Sequence, residues 1–180
     1  MGTRTYQEKL ENVKEFEKGE IFFVNLANDY YNEEIAKIIG NKHDSILNHI
    51  EGDVKIFGID VEIKTSKDHM YPAFNITGLT KSGKVIKTDE FIPEMKHKYV
   101  IGIGNFNGDE NDIYQFNTHY IIIETQDIIN ALMSDINFTV NSHLSRNDGV
   151  TYFKYLNEFK DKCASFYETD NFLEILTKIK

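Results

Sequence analysis

The sequence predicts an α/β (α+β) domain with a mixed central β-sheet flanked by helices. Three observations carry the prediction. Charged helical patterns open the chain, period-two segments fill its middle, and helical patterns return at its end. At 180 residues the chain is long enough for one domain with a sizeable core. Its only prolines are Pro72 and Pro93, and no Pro/Gly/Ser-rich run suggests a linker, so 1–180 reads as a single domain.

Residues 6–18 form a charged helical stripe in which Leu10, Val13 and Phe16 or Glu17 share a face. Ile21, Val24, Asn28, Tyr31, Ile35 and Ile38 recur at three- and four-residue spacing, predicting a second helix over 20–39 stopped by Gly40. A short helical turn is expected over 44–50. The period then changes to two. Segments 53–57 and 59–65 flank Gly58 as a hairpin, with Ile59, Val61 and Ile63 on one face and Asp60, Glu62 and Lys64 on the other. Further strands are expected over 73–79, 85–91, 99–106 and 113–124, joined by polar turns at 81–84 and 107–112. Helical patterns at 126–135, 152–167 and 171–179 give a helical C-terminal part over 127–180.

Composition narrows the class. Apolar residues make up 41%, and no window approaches eighteen continuous apolar residues, so a membrane span is not expected. The first twenty residues lack the apolar stretch of a secretory signal. Cys163 is the single cysteine, which excludes an intramolecular disulfide and fits a reducing cytoplasm; it reads as a small core residue in a helix rather than a nucleophile. The net charge of −9, with Arg4 and Arg146 as the only arginines, argues against a protein that simply coats nucleic acid. A DNA enzyme of this composition has to concentrate its lysines on one face and use bound cations to offset an acidic site.

The chemistry-bearing segment runs from Gly52 to Ser66. Folding at Gly58 brings Asp53, at the start of the first strand, across to Glu62 and Lys64 on the return strand. Two carboxylates and an ammonium placed together lose hydration, and the like charges repel. A hard divalent cation resolves that conflict. Mg²⁺ prefers oxygen ligands and needs only one or two protein carboxylates besides water and phosphate. Such an ion polarises a phosphodiester and acidifies a bound water. Lys64 is suited to orient or deprotonate that water, or to stabilise developing charge.

Asp53, eight residues, Glu62, one residue, Lys64: this pattern resembles the PD-(D/E)XK nuclease superfamily, as does its hairpin placement after a helix and a Gly-Asp pair. The motif covers about a dozen residues, and the element order extends the likeness over about 20–126. The resemblance implies a restriction-endonuclease-like mixed sheet flanked by helices. It implies Asp53 and Glu62 as metal ligands for Mg²⁺, with Mn²⁺ able to substitute, and Lys64 as the catalytic lysine. The run from Asp60 to Ser66 is especially similar to restriction enzymes. The proline that often precedes the first aspartate is Gly52 here. Many such enzymes carry one more carboxylate on the preceding helix. Glu20, Glu33 and Glu34 are candidates, with Glu34 favoured for its place near the apolar stripe. Asp60 shares the face of Glu62 and is a candidate further ligand.

Other polar residues are less specific. His69, His97, His119 and His143 lack metal-ligand spacing and read as surface or core histidines, and His43 and His49 precede the hairpin. Gly102 and Gly104 do not form a dinucleotide fingerprint, because no helix follows them. The loop 141–149 carries side chains able to read base edges, and Lys81, Lys84, Lys87, Lys96 and Lys98 are candidates for phosphate contacts.

The sequence thus points to a magnesium-dependent endonuclease of the type II restriction kind. It would cut double-stranded DNA as a homodimer whose two-fold axis matches the antiparallel duplex. A Holliday-junction resolvase or repair nuclease of the same fold is the first alternative, and a non-catalytic nucleic-acid or protein binding module is the second.

Overall fold

Helix α1 (Tyr6–Tyr31) runs without a break through both helical stripes of the N-terminal third. The computed structural model describes residues 6–39, 52–79, 92–93, 95–134, 143–146 and 149–180. The expected stop at Gly40, the turn over 44–50 with His43 and His49, the strand over 85–91, and Lys81, Lys84 and Lys87 lie outside them.

The helix expected to reach residue 39 ends at Tyr31, and β1 (Ala36–Ile38) follows. Asn28 causes the change. Its Oδ1 accepts from the amides of Ile35 and Ala36, each at 2.8 Å, and its Nδ2 donates to the Ala36 carbonyl at 3.0 Å. A side chain that satisfies three backbone groups of the returning chain competes with helix continuation. Asn32, at φ 52, supplies the left-handed residue that stops the helix.

The hairpin forms as its sequence pattern requires. Strands β2 (Val54–Ile56) and β3 (Ile59–Thr65) pair antiparallel through Val54↔Val61, Lys55↔Asp60 and Ile56↔Ile59. Phe57 and Gly58, at φ 50 and 78, make the two-residue turn with both central residues left-handed, whose twist matches that of the strands.

Strands β4 (Ala73–Leu79), β5 (Ile92–Pro93), β6 (Tyr99–Gly104) and β7 (His119–Glu124) come next. Helix α2 (Thr125–Ser134), β8 (His143–Arg146) and β9 (Gly149–Tyr155) follow, then a 3-10 turn over Leu156–Phe159, β10 (Tyr167–Thr169) and α3 (Phe172–Ile179). A mixed six-stranded sheet has the order β1-β2-β3-β6-β7-β10 and contains one parallel pair, β3 with β6. A second, four-stranded sheet has the order β5-β4-β9-β8. The fold is therefore of the α+β class, with a mixed sheet flanked by helices.

Alternation along the central strands builds a core on each face of the larger sheet. Val61, Ile63, Ile101, Ile103 and Ile122 pack with Phe22 and Phe23 of α1 and Ile175 and Leu176 of α3. Val100, Ile121 and Ile123 pack on the other side with Ile128 and Leu132 of α2, Leu156, Phe159 and Cys163. Helix α3 is capped by Asn171, whose side chain accepts from the Leu173 amide at 3.1 Å.

Three sequence expectations fail in the C-terminal half. The part over 127–180 is not purely helical. Instead of a helix over 152–167, β9 pairs with β4 through six residue pairs, and the chain then turns through Leu156–Phe159. Cross-strand partners outweigh a local helical pattern. Cys163 lies after that turn rather than in a helix, yet it is buried as expected, and burial pushes its thiol up to about 12. The strand expected over 113–124 begins only at His119. The Gln115 side chain accepts from the Asn107 amide at 2.9 Å and donates to the Asp109 carbonyl at 3.0 Å, holding the preceding residues as a closed loop. Among the described residues no helix is long and apolar enough to cross a membrane.

Candidate active site

The short β2 sets the geometry of the candidate site. It begins at Val54, one residue after Asp53, so β3 runs on past the end of its partner strand. Asp53 continues the ladder with its own groups. Its amide donates to the Val61 carbonyl at 2.9 Å, and its Oδ2 accepts from the Ile63 amide at 2.8 Å. That bond fixes the Asp53 carboxylate beside the segment that carries Glu62 and Lys64.

Gly52 makes this approach possible. At φ +93 it occupies a conformation that L side chains rarely adopt, and a Cβ there would lie 2.8 Å from the Val61 carbonyl oxygen and 3.0 Å from the His97 Cβ. Proline, held near φ −65°, cannot stand at this position. The departure from the nuclease pattern at Gly52 is thus a local backbone requirement.

Glu62 is 3% exposed although it sits on the face the alternation assigned to polar residues. Strand β6 explains this, because it pairs with β3 through Glu62↔Val100 and Lys64↔Gly102 and so places β3 inside the sheet. One Glu62 oxygen, Oε1, holds the Lys64 ammonium. The other, Oε2, is buried with no hydrogen-bond partner among the described residues. The Lys64 side chain keeps 23% of its exposure, so the site opens to solvent there.

The charges of the site shift one another. Burial, reinforced by Glu62, raises Asp53 from 3.8 to about 6, against the opposing pull of Lys64 and the Ile63 amide. Burial alone would lower Lys64, but Glu62, Asp53 and Glu20 more than offset it, so its pKa is raised and the ammonium stays charged. A permanently charged lysine is better suited to stabilising negative charge than to removing a proton.

The structure unites Asp53, Glu62 and Lys64, gives Asp60 a partner of its own on the same strand face, and leaves Glu34 apart. Asp60 turns to Lys55 across the hairpin, with an oxygen 2.5 Å from the ammonium. That pairing follows from the register, which sets the two residues opposite each other. Glu34 is exposed and lies outside α1, because the helix has already ended. It precedes Ile35, whose carbonyl accepts from the Phe57 amide at the turn end of the hairpin, whereas Asp53 and Glu62 lie at the open end. The helix carboxylate near Lys64 is Glu20, beside Gly19, where α1 touches Thr65 of β3.

His97, read from sequence only as a surface or core residue, is 3% exposed at the edge of this group. Its Nδ1 lies 2.8 Å from Thr125 Oγ1. Burial and then Lys64 lower its pKa to about 4. Only its position two residues before β6, the parallel neighbour of β3, would have pointed to it, and that pairing is invisible in a linear pattern.

Among the described residues no three His, Cys, Asp or Glu side chains converge as a metal cage. Asp53 and Glu62 nevertheless fit a hard divalent cation of the Mg²⁺ type, for which two carboxylates suffice. The buried, unpartnered Glu62 Oε2 and the raised pKa of Asp53 both mark negative charge that a cation would stabilise. In comparisons with protein-family models, curated proteins and solved structures, nothing matches this chain.

Proposed function

We propose that this chain is a Mg²⁺-dependent endonuclease that hydrolyses phosphodiester bonds of double-stranded DNA, in the manner of PD-(D/E)XK restriction enzymes. The observation that carries the reading is the Glu62 carboxylate on a rigid hairpin beside Asp53, with Oε1 on Lys64 and Oε2 buried without a partner among the described residues. Strand-borne groups anchored in a core hold such a constellation more precisely than loop-borne ones.

In this reading Asp53 and Glu62 hold the cation, and Mn²⁺ is able to replace Mg²⁺. When bound, the ion polarises the scissile phosphate and acidifies a coordinated water. Lys64, which holds Glu62 Oε1 here, would present its charge to the phosphate oxygens. Glu62 and Asp53, with a smaller contribution from Glu20, keep Lys64 protonated, and the Ile63 amide keeps Asp53 in place. A homodimer would set two such sites on the two strands of a duplex. The single cysteine suits a reducing cytoplasm.

The test is digestion of plasmid and phage DNA with Mg²⁺, beside Lys64→Ala. Discrete bands that vanish in the variant are the expected result. A smear that also vanishes would retain the nuclease but remove the sequence specificity. Cleavage of four-way junctions alone would favour a resolvase or repair nuclease. Intact DNA of every kind would overturn the reading in favour of a non-catalytic binding module.

A further inference from the structure

A second polar feature lies on the same face of the sheet as the proposed catalytic residues. A cleft of about 640 Å³ opens beyond the ends of β3 and β6, lined in part by Lys67, Asn105, Phe116, Asn117, His119 and Asp170. Lys64 pairs with Gly102, and Gly104 pairs with His119, so these residues share one sheet face. With about 3.3 Å per residue and about 4.8 Å between strands, His119 lies on the order of 12 Å from Lys64. A strand of nucleic acid held at Lys64 reaches this cleft within a few nucleotides.

The cleft is built for a flat, polar-edged ring. Phe116 is 98% exposed, and no other ring or polar group of the described residues partners it. Its loop is nevertheless tied down by the two bonds of Gln115 and by the Tyr114 amide, which donates to Asp112 Oδ1 at 3.3 Å. A wholly exposed phenyl ring on a tied loop presents an open aromatic face on which a base can stack. The Asn105 side chain, on a residue at φ 54, and the Asn117 side chain make no hydrogen bond within the described residues. Each offers an acceptor and two donors to a base edge.

The charges orient the occupant. At one wall Asp170, 81% exposed, has Oδ1 only 2.6 Å from His119 Nδ1, while His119 Nε2 faces Glu168 at 3.2 Å. This acidic wall repels a phosphate but accepts from a base amino group. At the other wall the Lys67 ammonium lies close over Gly108 and provides positive charge for the backbone.

We propose that this cleft binds an unpaired nucleobase of a DNA strand, stacked on Phe116 and hydrogen-bonded by Asn105 and Asn117, with the adjoining phosphate towards Lys67. The proposal deepens the nuclease reading, on which its biological sense rests, by adding to the duplex substrate a base unpaired beside the scissile bond.

The experiment uses the full chain without divalent cation and oligonucleotides carrying 2-aminopurine, whose fluorescence falls on stacking, in single strands, in a one-base bulge and in a perfect duplex. Quenching is expected for the first two and not for the duplex, and the unpaired substrates should bind more tightly than the duplex. Phe116→Ala should weaken binding about tenfold or more and abolish the quench, while Phe116→Tyr should restore both. The paired variant Asn105→Ala/Asn117→Ala should weaken binding while keeping the quench. Equal binding by Phe116→Ala and wild type would overturn the proposal, as would failure of wild type to bind any unpaired strand. A Phe116→Ala change in sedimentation with unchanged binding would do so too, showing that Phe116 joins two copies of the chain. The nuclease reading is judged separately by Lys64→Ala in the Mg²⁺ digest, so either idea can fail while the other stands.

Discussion

The main-chain amide of Ile63 donates to Asp53 Oδ2 at 2.8 Å, across the open end of the hairpin. Asp53→Asn can keep this bond through its side-chain carbonyl while removing the charge that Glu62 opposes. Asp53 rises from 3.8 to about 6 through burial and Glu62. Holding it ionised in the folded protein therefore costs stability, about 1.4 kcal/mol for each pH unit that separates the two values. At pH 8, Asp53→Asn should be more stable by about 3 kcal/mol, or roughly 6–12 °C in Tm. Mg²⁺ should raise the Tm of wild type and leave that of the variant unchanged. Calorimetry with and without Mg²⁺ checks both, and a destabilised variant would show that the carboxylate is not under strain.

Asp53 and His97 should hide each other in a pH titration of stability. The raised Asp53 carboxyl makes stability fall as pH rises from about 4 to 6, because the folded state holds the proton longer. The lowered His97 makes stability fall as pH drops from 6.5 to about 4, because the unfolded state takes the proton first. The two slopes oppose one another over the same window. In Asp53→Asn the His97 slope should emerge, with stability rising by up to about 1.4 kcal/mol per pH unit relative to wild type. In His97→Asn the opposite slope should emerge. Urea unfolding at steps of pH reads both, and parallel profiles for all three proteins would contradict the pairing.

Restoring proline before Asp53 should damage the protein. Gly52 sits at φ +93, and any Cβ there meets the Val61 carbonyl at 2.8 Å. Gly52→Pro should cost about 3 kcal/mol or more, and Gly52→Ala about 1–3 kcal/mol, by denaturant unfolding. A stable Gly52→Pro protein would show that the turn is not held as described.

Gly19 sets how closely α1 approaches β3. A Cβ at Gly19 would lie 2.1 Å from Thr65 Cγ2. Gly19→Ala should gain about 1 kcal/mol of helix propensity and lose about 1–3 kcal/mol to overpacking. Thr65→Ala should recover much of that loss in the double variant. A coupling energy near zero in the double-mutant cycle would place the helix further from the strand.

The third carboxylate should be Glu20 and not Glu34. Glu20→Gln should leave the fold intact and lower cleavage about tenfold or more, because the site loses the negative charge that the helix adds near Lys64, while Lys64 itself stays protonated through Glu62 and Asp53. Glu34→Gln should cleave as wild type does. The reverse outcome in a plasmid-nicking assay would restore the helix arrangement expected from the sequence.

Some of this was legible in the chain. The hairpin of β2 and β3, its turn at Gly58, and the nearness of Asp53 to Glu62 and Lys64 are local in sequence and governed by a period of two, so residue order alone determines them. The short terminal helix α3 was likewise readable from the helical pattern over 171–179. Tertiary structure decided the rest. That Glu62 is buried follows from the parallel pairing of β3 with β6, more than thirty residues away by numbering. The end of α1 follows from Asn28 capturing the backbone of Ile35 and Ala36, which moves Glu34 off the helix and leaves Glu20 beside Lys64. Strand β9 exists because β4 offers it a partner, against its own helical pattern. Local spacing determines which groups can meet on one hairpin, whereas desolvation, and with it the perturbed charges of the site, arises only when distant strands and helices close over them.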